Sequence, residues 1–198
     1  MKKGILMPIV AILVAAAVLL GLSWCQADLA EKNAQAEHLK LLKMMSPGSE
    51  NFTVEPYDGE DTNIRSVHKG EKGFVIETVT YGYAGEITMF VGVSNEGKVT
   101  GLVVRDLSET YGLGREALTN VDFLKQFLNS SGTFAVATAG EDAFSGATAT
   151  ADSGEAEVNV DGLTGATVTS KAVVRCVNSA VAYVTGADAA TAATSWGG

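Results

Sequence analysis

The sequence predicts an α+β protein: one N-terminal transmembrane helix followed by a single extracytoplasmic domain with an antiparallel sheet and packed helices. Three observations carry that prediction. An uncharged apolar run lies near the N-terminus, three β-branched runs separated by turn residues lie in the middle, and a valine-periodic run lies near the C-terminus. A chain of 198 residues, less one membrane segment, has room for one compact domain with its own core.

Gly4 to Trp24 contains no charged residue. At about 1.5 Å per residue, a helix of that length crosses the ~30 Å hydrocarbon layer. Lys2 and Lys3 precede the run, and Asp28 and Glu31 follow it before Lys32. The positive-inside bias therefore keeps the N-terminus in the cytoplasm and puts the rest of the chain outside. Residues 1–25 are read as cytoplasmic N-terminus and membrane helix, single-pass in the cytoplasmic (inner) membrane. Cys25-Gln26-Ala27 offers an alternative, a cleaved signal peptide, but the apolar run is longer than a usual signal core of about 7 to 15 residues. A lipoprotein site at Leu22-Ser23-Trp24-Cys25 is rejected because Trp24 is bulky where such a site needs a small residue.

Residues 26–65 are expected to form a stalk helix and linker. Gln26 to Met45 is rich in Ala, Leu, Glu, Gln and Lys and stops at Ser46-Pro47-Gly48. Ser49 to Arg65 is polar and without period, as a connecting loop is. The domain proper is placed at 66–185. Its strands are Phe74–Tyr81, Glu86–Val93 and Lys98–Arg105, with Asn95-Glu96-Gly97 closing a hairpin, so they form an antiparallel meander. Asn120 is placed to cap a short helix bearing Phe123, Leu124, Phe127 and Leu128 on one face. Phe134–Thr138 and Glu157–Val160 are two further strands around a loop of small and acidic residues. From Ser170 to Val184, Val173, Val174, Val177, Val181 and Val184 recur at helical spacing, which predicts a helix packed on the sheet. Residues 186–198 are read as a flexible tail.

A net charge of −9, more negative still without Lys2 and Lys3, argues against nucleic acid and anionic headgroups as partners. Cys25 and Cys176 are expected as free thiols that pack as small hydrophobes. His38 and His68 stand apart without ligand-spaced partners, so both are assigned to the surface and no metal site is expected.

The chemistry gathers in Asp161-Gly162-Leu163-Thr164-Gly165-Ala166-Thr167-Val168-Thr169-Ser170. A strand ends, a turn with small residues at Gly165-Ala166 follows, and a helix begins. Thr169 or Ser170 is available to cap that helix, whose first N–H groups and positive dipole end favour an anion, with Lys171 adding charge. From spacing alone the Thr167 hydroxyl is accessible beside this helix start, and an ordinary N-cap after a glycine turn explains the pattern equally well.

Asp161-x-x-Thr164-Gly165-Ala166-Thr167, followed by Thr169-Ser170 and a valine-rich helix, resembles the flavinylation motif of the FMN-binding domain family. The resemblance covers roughly Phe74 to Val184, so residues 66–185 are expected to be an FMN-binding domain. It implies that a flavin transferase moves FMN from FAD onto Thr167 as a phosphoester. It also implies that Asp161, Thr164, Gly165, Ala166, Thr169 and Ser170 serve the cofactor, with Asp161 assisting attachment. Glu109-Thr110-Tyr111-Gly112-Leu113-Gly114 resembles the family's Glu-Thr-Pro-Gly-Leu-Gly loop, with Tyr111 in place of proline. By that likeness Glu109, Thr110, Gly112 and Leu113 are candidates for flavin contacts, the glycines permitting close backbone approach.

One anchor plus one such domain resembles the G subunits of Rnf electron-transport complexes. The expected function is then a membrane-anchored electron-transfer flavoprotein subunit of a ferredoxin:NAD oxidoreductase coupled to ion translocation. Its partners would be other subunits of the complex and, during maturation, the flavin transferase. No side chain is expected to act as a catalyst, because covalent FMN carries the chemistry. Alternatives are the C-type subunit of sodium-pumping NADH:quinone oxidoreductase, a stand-alone extracytoplasmic flavoprotein, and a non-redox assembly domain. A second short match, Asp142 to Thr148, lacks an apolar helix behind it and is set aside, as is the loose dinucleotide pattern at Gly112 to Ala117.

Overall fold

The computed structural model describes residues 28–107, 118–137, 157–163 and 165–187. The chain divides into two compact units, Met1–Leu41 and Leu42–Gly198. The apolar run 4–24, Cys25 and the tail beyond residue 187 lie outside the described residues. Among the described residues, no helix is long and apolar enough to cross a membrane.

Helix α1 runs over 28–45, where the sequence predicts the stalk. In the first unit its surface is almost wholly exposed, and Lys32 pairs with Asp28 at 2.6 Å one turn away. Such an exposed pair adds a few tenths of a kcal/mol to the helix, roughly 0.3–0.5. In the second unit the last turn of α1 buries Leu42 and Met45, and the chain leaves it through Gly48 at a φ of 88°.

Five strands follow in meander order: β1 Thr53–Glu55, β2 Ile64–Lys69, β3 Gly73–Tyr81, β4 Glu86–Ser94 and β5 Val99–Leu107, each antiparallel to the next. The expected three-stranded meander is therefore present as β3–β5. Gly97, at a φ of 79°, closes the β4–β5 hairpin with its N–H on the Ser94 carbonyl. A loop is expected over Ser49 to Arg65, whereas β1 and the start of β2 fall there. Both are short, β1 is mostly exposed, and neither alternates cleanly, so their signal is in the pairing with neighbouring strands rather than in their own pattern.

Along β3 the side chains of Phe74, Ile76, Thr78 and Thr80 lie on one face. That face meets the long helix α3, Thr167–Thr185, as the valine spacing predicts. Phe74 packs edge-on against Tyr183 at 5.9 Å, and Arg175 donates to the Tyr81 carbonyl at 3.0 Å. The opposite face takes the end of α1. Gly92 and Gly101 have no side chain where the backbone and sulfur of Met45 lie, and a Cβ at either would crowd them. Because β4 is covered on both sides, its interior is buried at every residue from Ile87 to Val93, which explains its continuous apolar run.

Asn120 caps helix α2, Val121–Lys125, as expected, its Oδ1 accepting from the N–H groups of Asp122 and Phe123. Phe123, Phe127 and Phe134 are fully or almost fully buried and join α2 to the remaining strands, β6 Thr133–Ala137 and β7 Glu157–Asp161. These two strands pair in parallel as a separate sheet, Phe134 opposite Val158 and Ala137 opposite Asp161.

Cys176 is free and buried, as expected. The surface assignment is corrected for His68 alone. His38 is half-buried, and His68 is buried on β2 because its ring turns toward Phe90 and its Nε2 meets the Ser66 hydroxyl. The described residues contain no group of side chains able to hold a metal ion.

Candidate functional site

β7 ends at Asp161, and the chain reaches α3 through a single tight turn. The Ala166 N–H bonds the Leu163 carbonyl at 2.9 Å, and Gly165 occupies the third position at a φ of 80°, a conformation that favours glycine. Gly162 is packed so closely on Val136 that a Cβ would lie 2.6 Å from its methyl group. The turn is thus dictated by two glycines, one for its dihedral angle and one for lack of bulk.

The helix starts at Thr167 with Ala166 as its N-cap, and no side chain caps it. This corrects the expectation that Thr169 or Ser170 would do so. The helix begins earlier than their position requires, so both fall inside its first turn and are buried. Ser170 staples the turn instead: its Oγ donates to the Ala166 carbonyl at 3.0 Å and accepts from the Leu163 N–H at 3.2 Å. Thr167 is exposed, Lys171 is exposed one turn later, and no acid stands in the first turn. Free N–H groups, the positive dipole end and a nearby ammonium make this an anion-favouring helix start beside an accessible hydroxyl.

Thr169 supplies a second signal. Its Oγ1 is the one buried side-chain polar atom without a hydrogen-bond partner among the described residues. An unpaired buried hydroxyl costs about 1–3 kcal/mol, and valine would fill the same volume without that cost.

The structure therefore brings together Asp161, Gly165, Ala166, Thr167, Thr169 and Ser170 within one strand-turn-helix segment. Thr164, the loop residues Glu109, Thr110, Gly112 and Leu113, and the rival Thr148 lie outside the described residues. Two residues that no sequence motif singles out also hold this region. Asn178 on α3 bonds both polar backbone groups of Phe134 at 2.9 Å, and Gln126 bonds both of Asp161. Each contact is remote in sequence, so nothing in the residues around either amide signals it.

A five-stranded meander is thus backed by a long helix that begins at an exposed threonine and has no side-chain cap. The family model described as the FMN-binding domain matches residues 82–182, and the chain belongs to that family. It is 29% identical over 191 residues to the G subunit of the ion-translocating oxidoreductase complex of Methanosarcina acetivorans, covering 91% of this chain and 93% of that protein. The G subunit of the complex of the same name from Pseudomonas aeruginosa is 26% identical over 92% of this chain and 87% of its own length. The G subunit of a proton-translocating ferredoxin:NAD(+) oxidoreductase complex of Clostridium ljungdahlii is 34% identical over 61% of this chain and 58% of its own.

The residues present suit FMN: a phosphate fits a helix start that has no side-chain cap and no acid in its first turn, beside the exposed Thr167.

Proposed function

We propose that the chain is the flavin-carrying subunit of a Rnf-type ferredoxin:NAD oxidoreductase, held to the membrane by residues 4–24, with FMN bound to Thr167 through a phosphoester. The observation that carries this reading is the exposed Thr167 at the first position of α3, directly behind the Gly165-Ala166 turn. The similarity to G subunits of ion-translocating complexes supports the assembly and the coupling to ion movement.

Attachment requires FAD and a flavin transferase. The Thr167 Oγ forms a bond to the FMN phosphorus of FAD, the pyrophosphate bond to that phosphorus breaks, AMP leaves, and the hydroxyl proton passes to the transferase or to solvent. Asp161, exposed at the end of β7, would assist that step from the protein side. The N–H groups at the start of α3 and Lys171 then hold the phosphodiester charge, and Ser170 keeps the turn closed. Glu109, Thr110, Gly112 and Leu113 are assigned to contacts with the flavin, and Thr164 to the approach to the acceptor. Once bound, FMN supplies one- and two-electron transfer, and the protein supplies its position and surroundings. Ferredoxin and NAD react on other subunits.

Expression of the Thr167→Val chain with the transferase tests the assignment. The wild-type chain should fluoresce as a flavoprotein in a denaturing gel and the variant should not. Fluorescence that survives the substitution overturns Thr167 as the acceptor, and intact mass separates one added FMN from two.

A further inference from the structure

We infer that Gln126 is a positioning residue for the acceptor threonine, an inference that rests on Thr167 being the site of flavin attachment. Gln126 lies 35 residues before Asp161, yet its carboxamide takes both polar backbone groups of that residue. Oε1 accepts from the Asp161 N–H at 2.7 Å, and Nε2 donates to the Asp161 carbonyl at 3.3 Å. A neighbouring strand would supply the same pairing; here one side chain supplies it to the last residue of β7.

The residue that makes this clamp is itself fixed. Phe127, next in sequence, is fully buried, with Phe123 at 5.5 Å and Phe134 at 5.3 Å. Two residues further on, the Asn129 N–H bonds the Val99 carbonyl on β5 at 2.8 Å. Gln126 thus ties the attachment turn to the main sheet through a rigid aromatic support. On the far side of the turn, Ser170 holds Leu163 and Ala166. The backbone between Asp161 and Thr167 is secured at both ends, while Asp161 and Thr167 themselves stay exposed.

Such a segment meets the transferase with its acceptor geometry already set. Loosening the upstream end makes the chain order itself during binding, which weakens the encounter and leaves the bond-forming step itself unchanged. Gln126→Leu removes both hydrogen bonds and keeps the apolar length. Gln126→Glu keeps an acceptor for the Asp161 N–H but sets a carboxylate oxygen against the Asp161 carbonyl, so it breaks the clamp as well.

The test uses the full chain, purified without flavin, with FAD and the flavin transferase, and follows initial rates of covalent flavin incorporation against acceptor concentration. Circular dichroism of each variant reports its fold. The expected result is a KM for the Gln126→Leu chain raised about three- to tenfold with kcat within about twofold, and a KM for the Gln126→Glu chain raised at least as much. Equal KM values for the Leu variant and wild type overturn the inference, and so does a Leu-variant defect that falls on kcat alone. A wild-type chain that takes up no flavin at Thr167 overturns the attachment reading instead, an outcome distinct from both.

Discussion

Between β2 and β5 the backbone is held by backbone: each strand pairs with the next in sequence, and β3 with β4 in unbroken register from Gly73–Ser94 to Tyr81–Glu86. Between β6, β7 and the start of α3 it is held by side chains. Asn178 satisfies Phe134, Gln126 satisfies Asp161 and Ser170 satisfies Leu163, each reaching a peptide that a strand neighbour would otherwise serve. Single substitutions therefore act differently in the two regions. A ladder shares its load over many peptide groups, whereas one amide side chain is a single point of failure.

Asn178→Ala puts this contrast under the greatest stress. It leaves the N–H and C=O of Phe134 without partners beside a buried core, and the expected loss is on the order of 3 kcal/mol in urea denaturation. A loss under about 1 kcal/mol would show that β6 does not depend on this side chain.

The junction of α3 with the meander is probed by pH. Burial pushes the Cys176 thiol up to about 11 from 9.0, and the Thr78 hydroxyl and the Arg175 charge offset this only in part. The folded pKa is raised, so the contribution is fully present below pH 9 and is lost as pH rises through about 11. Stability should therefore fall by about 2–3 kcal/mol more over that window in the wild-type chain than in Cys176→Ala. Taking the difference cancels the titration of Tyr183, whose phenol is also raised, chiefly by burial.

Thr169→Val relieves the orphaned hydroxyl and should stabilise the flavin-free chain by about 1 kcal/mol. If thermal melting shows destabilisation instead, the hydroxyl has a partner in the folded domain, and its value as a ligand signal disappears. The smallest effect is expected at α2, where Asn120→Ala removes the cap at a cost of about 1 kcal/mol or less, read from the same denaturation experiment.

The meander was legible because its signal is local. Val75 to Tyr81 and Ile87 to Val93 are rich in β-branched and apolar residues, and Asn95-Glu96-Gly97 turns the chain after the second run. The α3 helix was legible from valine spacing, and the turn before it from its glycines. β1 and the first residues of β2 were not legible, because Thr53–Glu55 is too short to show a period and gains its structure from pairing with His68 and its neighbours. His68 looked like a surface residue for the same reason: its burial is set by Phe90, which is remote in sequence.

Short-range chemistry was enough to establish the α+β character, the order of the main strands and the long C-terminal helix. Each follows from side-chain periodicity, a glycine that permits positive φ, or a contiguous motif, all of which are written in neighbouring residues. Folding alone settled that Ala166 rather than Thr169 or Ser170 caps α3, that Thr169 is buried with no hydrogen-bond partner among the described residues, and that Gln126 and Asn178 secure β7 and β6. Those outcomes depend on which groups meet after the chain has closed on itself. A lone glutamine 35 residues from the peptide it binds carries no local mark of that role.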